Sequence, residues 1–111
     1  MANPQKRKGD RAERDVLAML RPFFPEATRT RPGRREDEGD ILTHHATIQV
    51  KDVANAQWKT WIQEWDEQQA TSGKPYKILV WKRRGRGKRK PRWLAVMDLN
   101  ELLEAIHETR R

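Results

Sequence analysis

Three segments could bring oxygen donors and a cation together: Gly39-Asp40-Ile41, Ile48-Gln49-Val50-Lys51, and Glu13. Alternate residues of a strand share a face, so Gln49 and Lys51 point the same way. Two short strands joined through His44-His45 would set Asp40 within about one or two residue rises of them. Glu13 has Val16, Leu17 and Leu20 at i+3, i+4 and i+7, inside an apolar helical stripe. A carboxylate turned toward a core is costly unless its charge is answered, and a cation shared with Asp40 would answer it.

The chemistry such a set suits is phosphodiester hydrolysis, in which a metal polarises the phosphate and generates hydroxide. Mg²⁺ takes oxygen ligands in an octahedral shell and keeps several waters, and Mn²⁺ is expected to substitute for it. The candidate ligands are Glu13, Asp40, the side-chain carbonyl of Gln49 and the backbone carbonyl of Val50. Lys51 would add a fixed positive charge near the attacking water. On this reading Gln49→Glu lowers the Mg²⁺ requirement. Plainer roles stay open. Glu13 stands three after Asp10, the spacing of a capping box. Asp40 after Gly39 suits a turn, and Gln49 and Lys51 suit the solvated face of an edge strand. His44 and His45 read as turn residues, since adjacent histidines point apart and Mg²⁺ does not seek imidazole.

The net charge is +8, and it is clustered. Lys82, Arg83, Arg84, Arg86, Lys88, Arg89, Lys90 and Arg92 fall in one run without an acid, and Arg29, Arg31, Arg34 and Arg35 form a second set. This is the footprint of a polyanion, and nucleic acid is the expected partner. No basic helix carries the one-sided apolar stripe of a membrane-surface binder, and no apolar run is long enough to span a bilayer. There is no cysteine, so disulfides, thiolate metal sites and cysteine nucleophiles are excluded. With no signal-peptide pattern behind the basic N-terminus, an intracellular location, cytoplasm or nucleoid, is expected.

The elements that must position these residues follow from periodicity and breakers. Residues 1–8 read as a disordered basic arm and 9–111 as one domain. A helix is expected from about Asp10, as its cap, to Arg21, and strands over 27–30, 40–43 and 47–51. A second helix over 54–71 carries a stripe of Trp58, Trp61, Ile62 and Trp65 and stops at Gly73. A hairpin follows, with strands at 76–81 and 93–97 and the basic run as its tip. A last helix begins near Asp98, has Glu101 placed for a capping box, and buries Leu99, Leu102, Leu103 and Ile106. The order is α-β-β-β-α-β-β-α, a mixed sheet flanked by helices.

Lys8-Gly9, Glu13, Gly39-Asp40-Ile41 and Ile48-Gln49-Val50-Lys51 together resemble the archaeal-type Holliday junction resolvases of the PD-(D/E)-x-K nuclease superfamily. The resemblance runs from about Lys8 to Met97. It implies a restriction-endonuclease-like fold and a dimeric, Mg²⁺-dependent nuclease that nicks a four-way DNA junction in pairs. By position it gives Glu13 and Asp40 the role of metal ligands and Lys51 that of catalytic lysine. Gly39 stands where proline is usual. Gln49 stands where glutamate is usual, which removes one negative charge. The resulting expectation is a structure-selective DNA endonuclease with no small-molecule cofactor. It acts as a homodimer on branched DNA, with Lys8 and the two basic clusters contacting phosphates. A related nuclease of flaps, single strands or linear duplex, a DNA-binding module with a decayed site, and an RNA-associated protein are the rivals.

Overall fold

In a computed structural model the described residues are 4–30, 39–85, 87 and 89–109. Eight elements follow one another: α1 (Pro4–Leu20), β1 (Thr28–Arg29), β2 (Ile41–Leu42), β3 (Ala46–Lys51), α2 (Trp58–Ser72), β4 (Tyr76–Arg83), β5 (Arg92–Met97) and α3 (Leu99–Thr109). The order is the one expected. The strands form one mixed sheet in chain order, β3 and β4 parallel and the other neighbours antiparallel. A parallel pair needs a crossover, and α2 is that crossover. No helix among the described residues is long and apolar enough to cross a membrane.

The central strand, β3, is covered on both sides. On one face Ala12, Val16 and Leu17 of α1 pack against Ile41, Ile48 and Val50. On the other, Trp61 and Trp65 of α2 pack against Leu79 and Trp81. Trp61 and Trp81 meet edge to face at 6.0 Å, and the Trp81 indole N–H donates to the Val53 carbonyl at 2.9 Å. Burying such rings is among the largest apolar contributions a small core can have. Two faces covered means that β3 is not a half-solvated edge strand, and Thr47 and Gln49 are as buried as Ile48.

Three expectations are corrected. First, α1 begins at Pro4, so residues 4–8 are helix and not a loose arm. Proline suits the first helical position, where its missing N–H costs nothing. Asp10 therefore lies inside the helix and caps nothing, which removes the capping-box reading of Glu13. Second, α2 starts at Trp58, later than expected, and ends in a left-handed Gly73 (φ 69°) whose N–H returns to the Gln69 carbonyl. Third, α3 buries none of its residues, and Leu99, Leu102, Leu103 and Ile106 all remain exposed. The apolar stripe is there, but no surface among the described residues covers it.

α3 is instead tied by its first turn. The Asp98 carboxylate accepts from the N–H groups of Asn100 and Glu101, a cap. Glu101 does not complete a capping box. Its carboxylate reaches β4, accepting from the Lys77 N–H at 2.9 Å and the Lys77 ammonium at 2.8 Å. The same ammonium donates to Gln69 of α2 at 2.8 Å. Burial alone would lower the Lys77 ammonium, but the Glu101 hydrogen bond and the charges of Glu101, Asp66 and Asp98 outweigh it and hold it above its ordinary 10.5.

A cation so placed contributes stability that is full below pH 10.5 and declines as pH rises through the higher native value. Lys77→Met leaves Glu101 and Gln69 without their buried donor and is expected to cost about 2–3 kcal/mol. Urea unfolding of the two proteins across pH 7 to 11 checks this: the difference stays constant on the acid side of that window and shrinks only at its alkaline end.

Candidate active site

Gly39 sets the mouth of the site. Its φ is +103°, a region open to glycine, and a Cβ there would collide with the Thr47 hydroxyl and lie 3.3 Å from the Ile48 carbonyl. Proline, with φ near −65°, cannot take this position, which accounts for glycine here. The next residue is pinned through its backbone. The Asp40 N–H donates to the Ile48 carbonyl at 2.9 Å, and the Asp40 carbonyl accepts from the Thr30 N–H at 3.1 Å. The Thr30 hydroxyl donates to the Gly39 carbonyl at 2.7 Å.

With Ile41 opposite Ile48, one further step of the register sets Asp40 alongside Gln49. The Asp40 carboxylate reaches past that point and accepts from the Val50 N–H at 2.7 Å. The N–H and C=O of one strand residue leave the same edge, so the Val50 carbonyl also faces the Asp40 side. Asp40, Val50 and Gln49 are thus brought together as expected.

Gln49 and Lys51 lie on the α2 face of β3, and both meet one atom. The Gln49 amide nitrogen donates to Oε2 of Glu64 at 2.6 Å, and the Lys51 ammonium donates to the same oxygen at 3.3 Å. A carboxylate only accepts, so it sets which way the amide is turned. The Gln49 carbonyl oxygen then points away from Glu64. It is buried, and among the described residues no group donates to it. Lys51 also sits 5.8 Å over the Trp61 ring. Sequence reasoning missed Glu64. Of the glutamines preceding it on this helix, Gln57 is the helix cap and Gln63 is exposed, near Glu67. The signal was spacing: Glu64 follows Trp61 by three and precedes Trp65 by one, at the border of the stripe that faces the sheet.

Glu13 comes from α1, on the other face of the sheet. Its carboxylate accepts from Arg29 at 3.1 and 3.3 Å, and Arg29 also holds Asp10 at 3.1 Å. Arg29 sits opposite Ile41, so this cluster adjoins the Asp40 end of β2. Burial raises the Glu13 carboxyl above the usual range, and the Arg29 contact offsets only part of that. The charge expected to answer Glu13 was a metal; in the structure it is Arg29. Among the described residues no three His, Cys, Asp or Glu side chains gather as a metal-holding group. The expected donor set has only two carboxylates and makes up its number from amide and backbone oxygens.

The basic residues divide. Arg29 is spent on Asp10 and Glu13. Arg84 grips the buried Asp52 carboxylate at 2.8 and 2.9 Å, and Lys8 approaches it at 3.8 Å. These contacts fasten the basic hairpin and α1 to the end of β3. Lys82 and Arg83 lie over the rings of Trp93 and Trp81. Arg83, Arg89, Lys90 and Arg92 line a polar groove at the hairpin base, with Arg84. A second groove, lined by Arg7, Lys8, Arg11, Lys82 and Arg84, runs toward α1. Arg31, Arg34, Arg35, Arg86 and Lys88 lie outside the described residues. His44 and His45 are exposed at the β2–β3 turn, as expected.

Gly39 and Gly73 both have positive φ, but only Gly39 has neighbours where a Cβ would go. Gly73→Ala is expected to cost about 1 kcal/mol, the conformational part alone, and Gly39→Ala about 2–4 kcal/mol with the collision added. Equal urea midpoints for the two variants would contradict the close approach at Gly39.

Comparison of the chain with protein-family models, with curated proteins and with solved structures returned no match, so the case for what this site does rests on its own residues.

Proposed function

We propose that the protein is a metal-dependent, structure-selective DNA endonuclease of restriction-endonuclease-like fold, acting on four-way junctions. The observation that carries this reading is a buried glutamine oxygen with no donor among the described residues, next to Asp40, on the strand that bears Lys51. Buried polar atoms are nearly always satisfied, and an orphan calls for a water or an ion. The donors nearby are all oxygens, which suits Mg²⁺ or Mn²⁺ and not a soft metal.

Asp40 and Gln49 would hold the cation, with the Val50 carbonyl as backbone ligand and Glu13 joining once Arg29 yields. A bound divalent cation would supply Lewis acidity and a water acidic enough to attack phosphorus. Lys51 would orient that water and stabilise the charge that develops on the phosphoryl oxygens. The hairpin grooves would carry phosphates, and Arg83, Arg89, Lys90 and Arg92 are the cations we assign to them. A second copy of the chain would cover the exposed stripe of α3 and the adjoining apolar groove lined by Leu20, Phe24, Tyr76, Ile78 and Met97. A two-fold dimer would present two sites to the two opposed strands of a junction. One observation favours a rival: the Arg29 hold on Glu13 suits a binding module without catalysis.

A labelled four-way junction, its component duplexes and a single strand, each with Mg²⁺, separate these readings. We expect the junction to be cut preferentially, and a supercoiled cruciform to be linearised by paired nicks. Asp40→Ala and Lys51→Ala should each lower cleavage at least about 10³-fold while DNA binding persists, the scale expected when a principal catalytic group is lost. Normal nicking by folded Asp40→Ala would remove the assignment, and binding without cleavage by the wild type would favour the rival.

A further inference from the structure

We propose that Glu64 is the carboxylate the Gln49 position lacks, carried on α2 and acting through the Gln49 amide. The inference rests on the reading of the site as a divalent-cation centre and adds a positioning residue to it. Three observations support it.

The first is the single-atom junction. Oε2 of Glu64 accepts from the Gln49 amide N–H at 2.6 Å and faces the Lys51 ammonium at 3.3 Å. One oxygen thus sets the orientation of both strand residues that sequence spacing singled out. The second is the consequence for Gln49. Free to turn, a buried amide would present nitrogen or oxygen to the cation, and nitrogen would repel it. Glu64 removes that choice, because the reversed amide would set oxygen against carboxylate. A hydrogen bond from an amide to a full negative charge also polarises the amide and makes its far oxygen a better donor to a cation. The third is rigidity. Trp61 and Trp65 are buried on either side of Glu64 along α2, so the rotation of the helix is fixed by packing. The Glu64 side chain is 38% exposed, so one flank of it faces solvent and it needs no further partner in the core.

The site would then have two carboxylates, Asp40 on the cation and Glu64 one hydrogen bond further away, with Glu13 joining only once Arg29 yields. This also revises the expectation for Gln49→Glu. A lone substitution sets two carboxylates face to face, and only the exchange of both residues restores an oriented pair. A rival role for Glu64 is simply to neutralise Lys51. That role predicts no effect on cation affinity beyond the loss of one nearby charge, and no rescue by exchange.

The test is Mn²⁺ binding to the full chain, read from the electron paramagnetic resonance of free Mn²⁺ and therefore independent of cleavage. The proteins are wild type, Asp40→Asn, Glu64→Gln, Glu64→Leu and the exchange Gln49→Glu/Glu64→Gln. We expect Glu64→Leu to bind about 10–100-fold more weakly than wild type, the range for lost groups that orient a ligand. Glu64→Gln, which is isosteric and preserves packing, should fall between them, and the exchange should return to within about threefold of wild type. Wild-type affinity in Glu64→Gln and Glu64→Leu, with Asp40→Asn impaired, would overturn the role of Glu64 and leave the cation centre standing. An exchange variant no better than Glu64→Gln would overturn it too. Absence of Mn²⁺ binding by the wild type would overturn both.

Discussion

The site depends on one constraint: β3 carries polar side chains on a face that is covered. Gln49 is 2% exposed, and a buried amide without partners would cost on the order of 1–3 kcal/mol. The chain answers half of that cost with Glu64. α2 is held against the sheet by Trp61, Trp65 and Trp81, and that packing delivers the carboxylate to Gln49 and Lys51 together. The other half, the amide oxygen, is left unanswered by the described residues. The proposed cation site gives that oxygen a partner.

The same logic runs through the charges. Asp52, Lys77, Glu101, Glu13 and Arg29 are each buried or half-buried, and each has an opposite charge within reach. Buried pairs of this kind add less to stability than their geometry suggests, but removing one partner strands the other. Their effect here is placement. Arg84 on Asp52 ties the basic hairpin to the residue after Lys51, and Glu101 on Lys77 ties α3 to the sheet. Among the described residues, the basic side chains of the hairpin and the α1 flank line two grooves.

Much of this was legible in the sequence. Ile48 and Val50 alternate with Gln49 and Lys51, so strand and facing could be read, and the breakers after each apolar run marked the eight elements in order. Asp40 beside Gln49 followed from a short hairpin. What could not be read was of two kinds. Partners far apart in the chain leave no local trace: Arg29 lies 16 residues from Glu13, and Glu64 lies 15 from Gln49. Amphipathic periodicity also says that a helix has an apolar face, not that its own chain will cover it. Hence α3 was expected in the core and lies outside it. The helical run of 4–8 was hidden by Gly9, whose helix-breaking tendency is worth only about 1 kcal/mol against a long, packed helix.

The central claim is that the orphaned Gln49 oxygen marks a cation site shared with Asp40 and the Val50 carbonyl. Crystals grown with Mn²⁺ and measured for anomalous scattering test it most directly. We expect one strong peak about 2.1–2.2 Å from a carboxylate oxygen of Asp40, from Oε1 of Gln49 and from the Val50 carbonyl, with Glu64 still on the Gln49 nitrogen. No peak there, with the Gln49 oxygen taken up by a protein donor or a plain water, would contradict it.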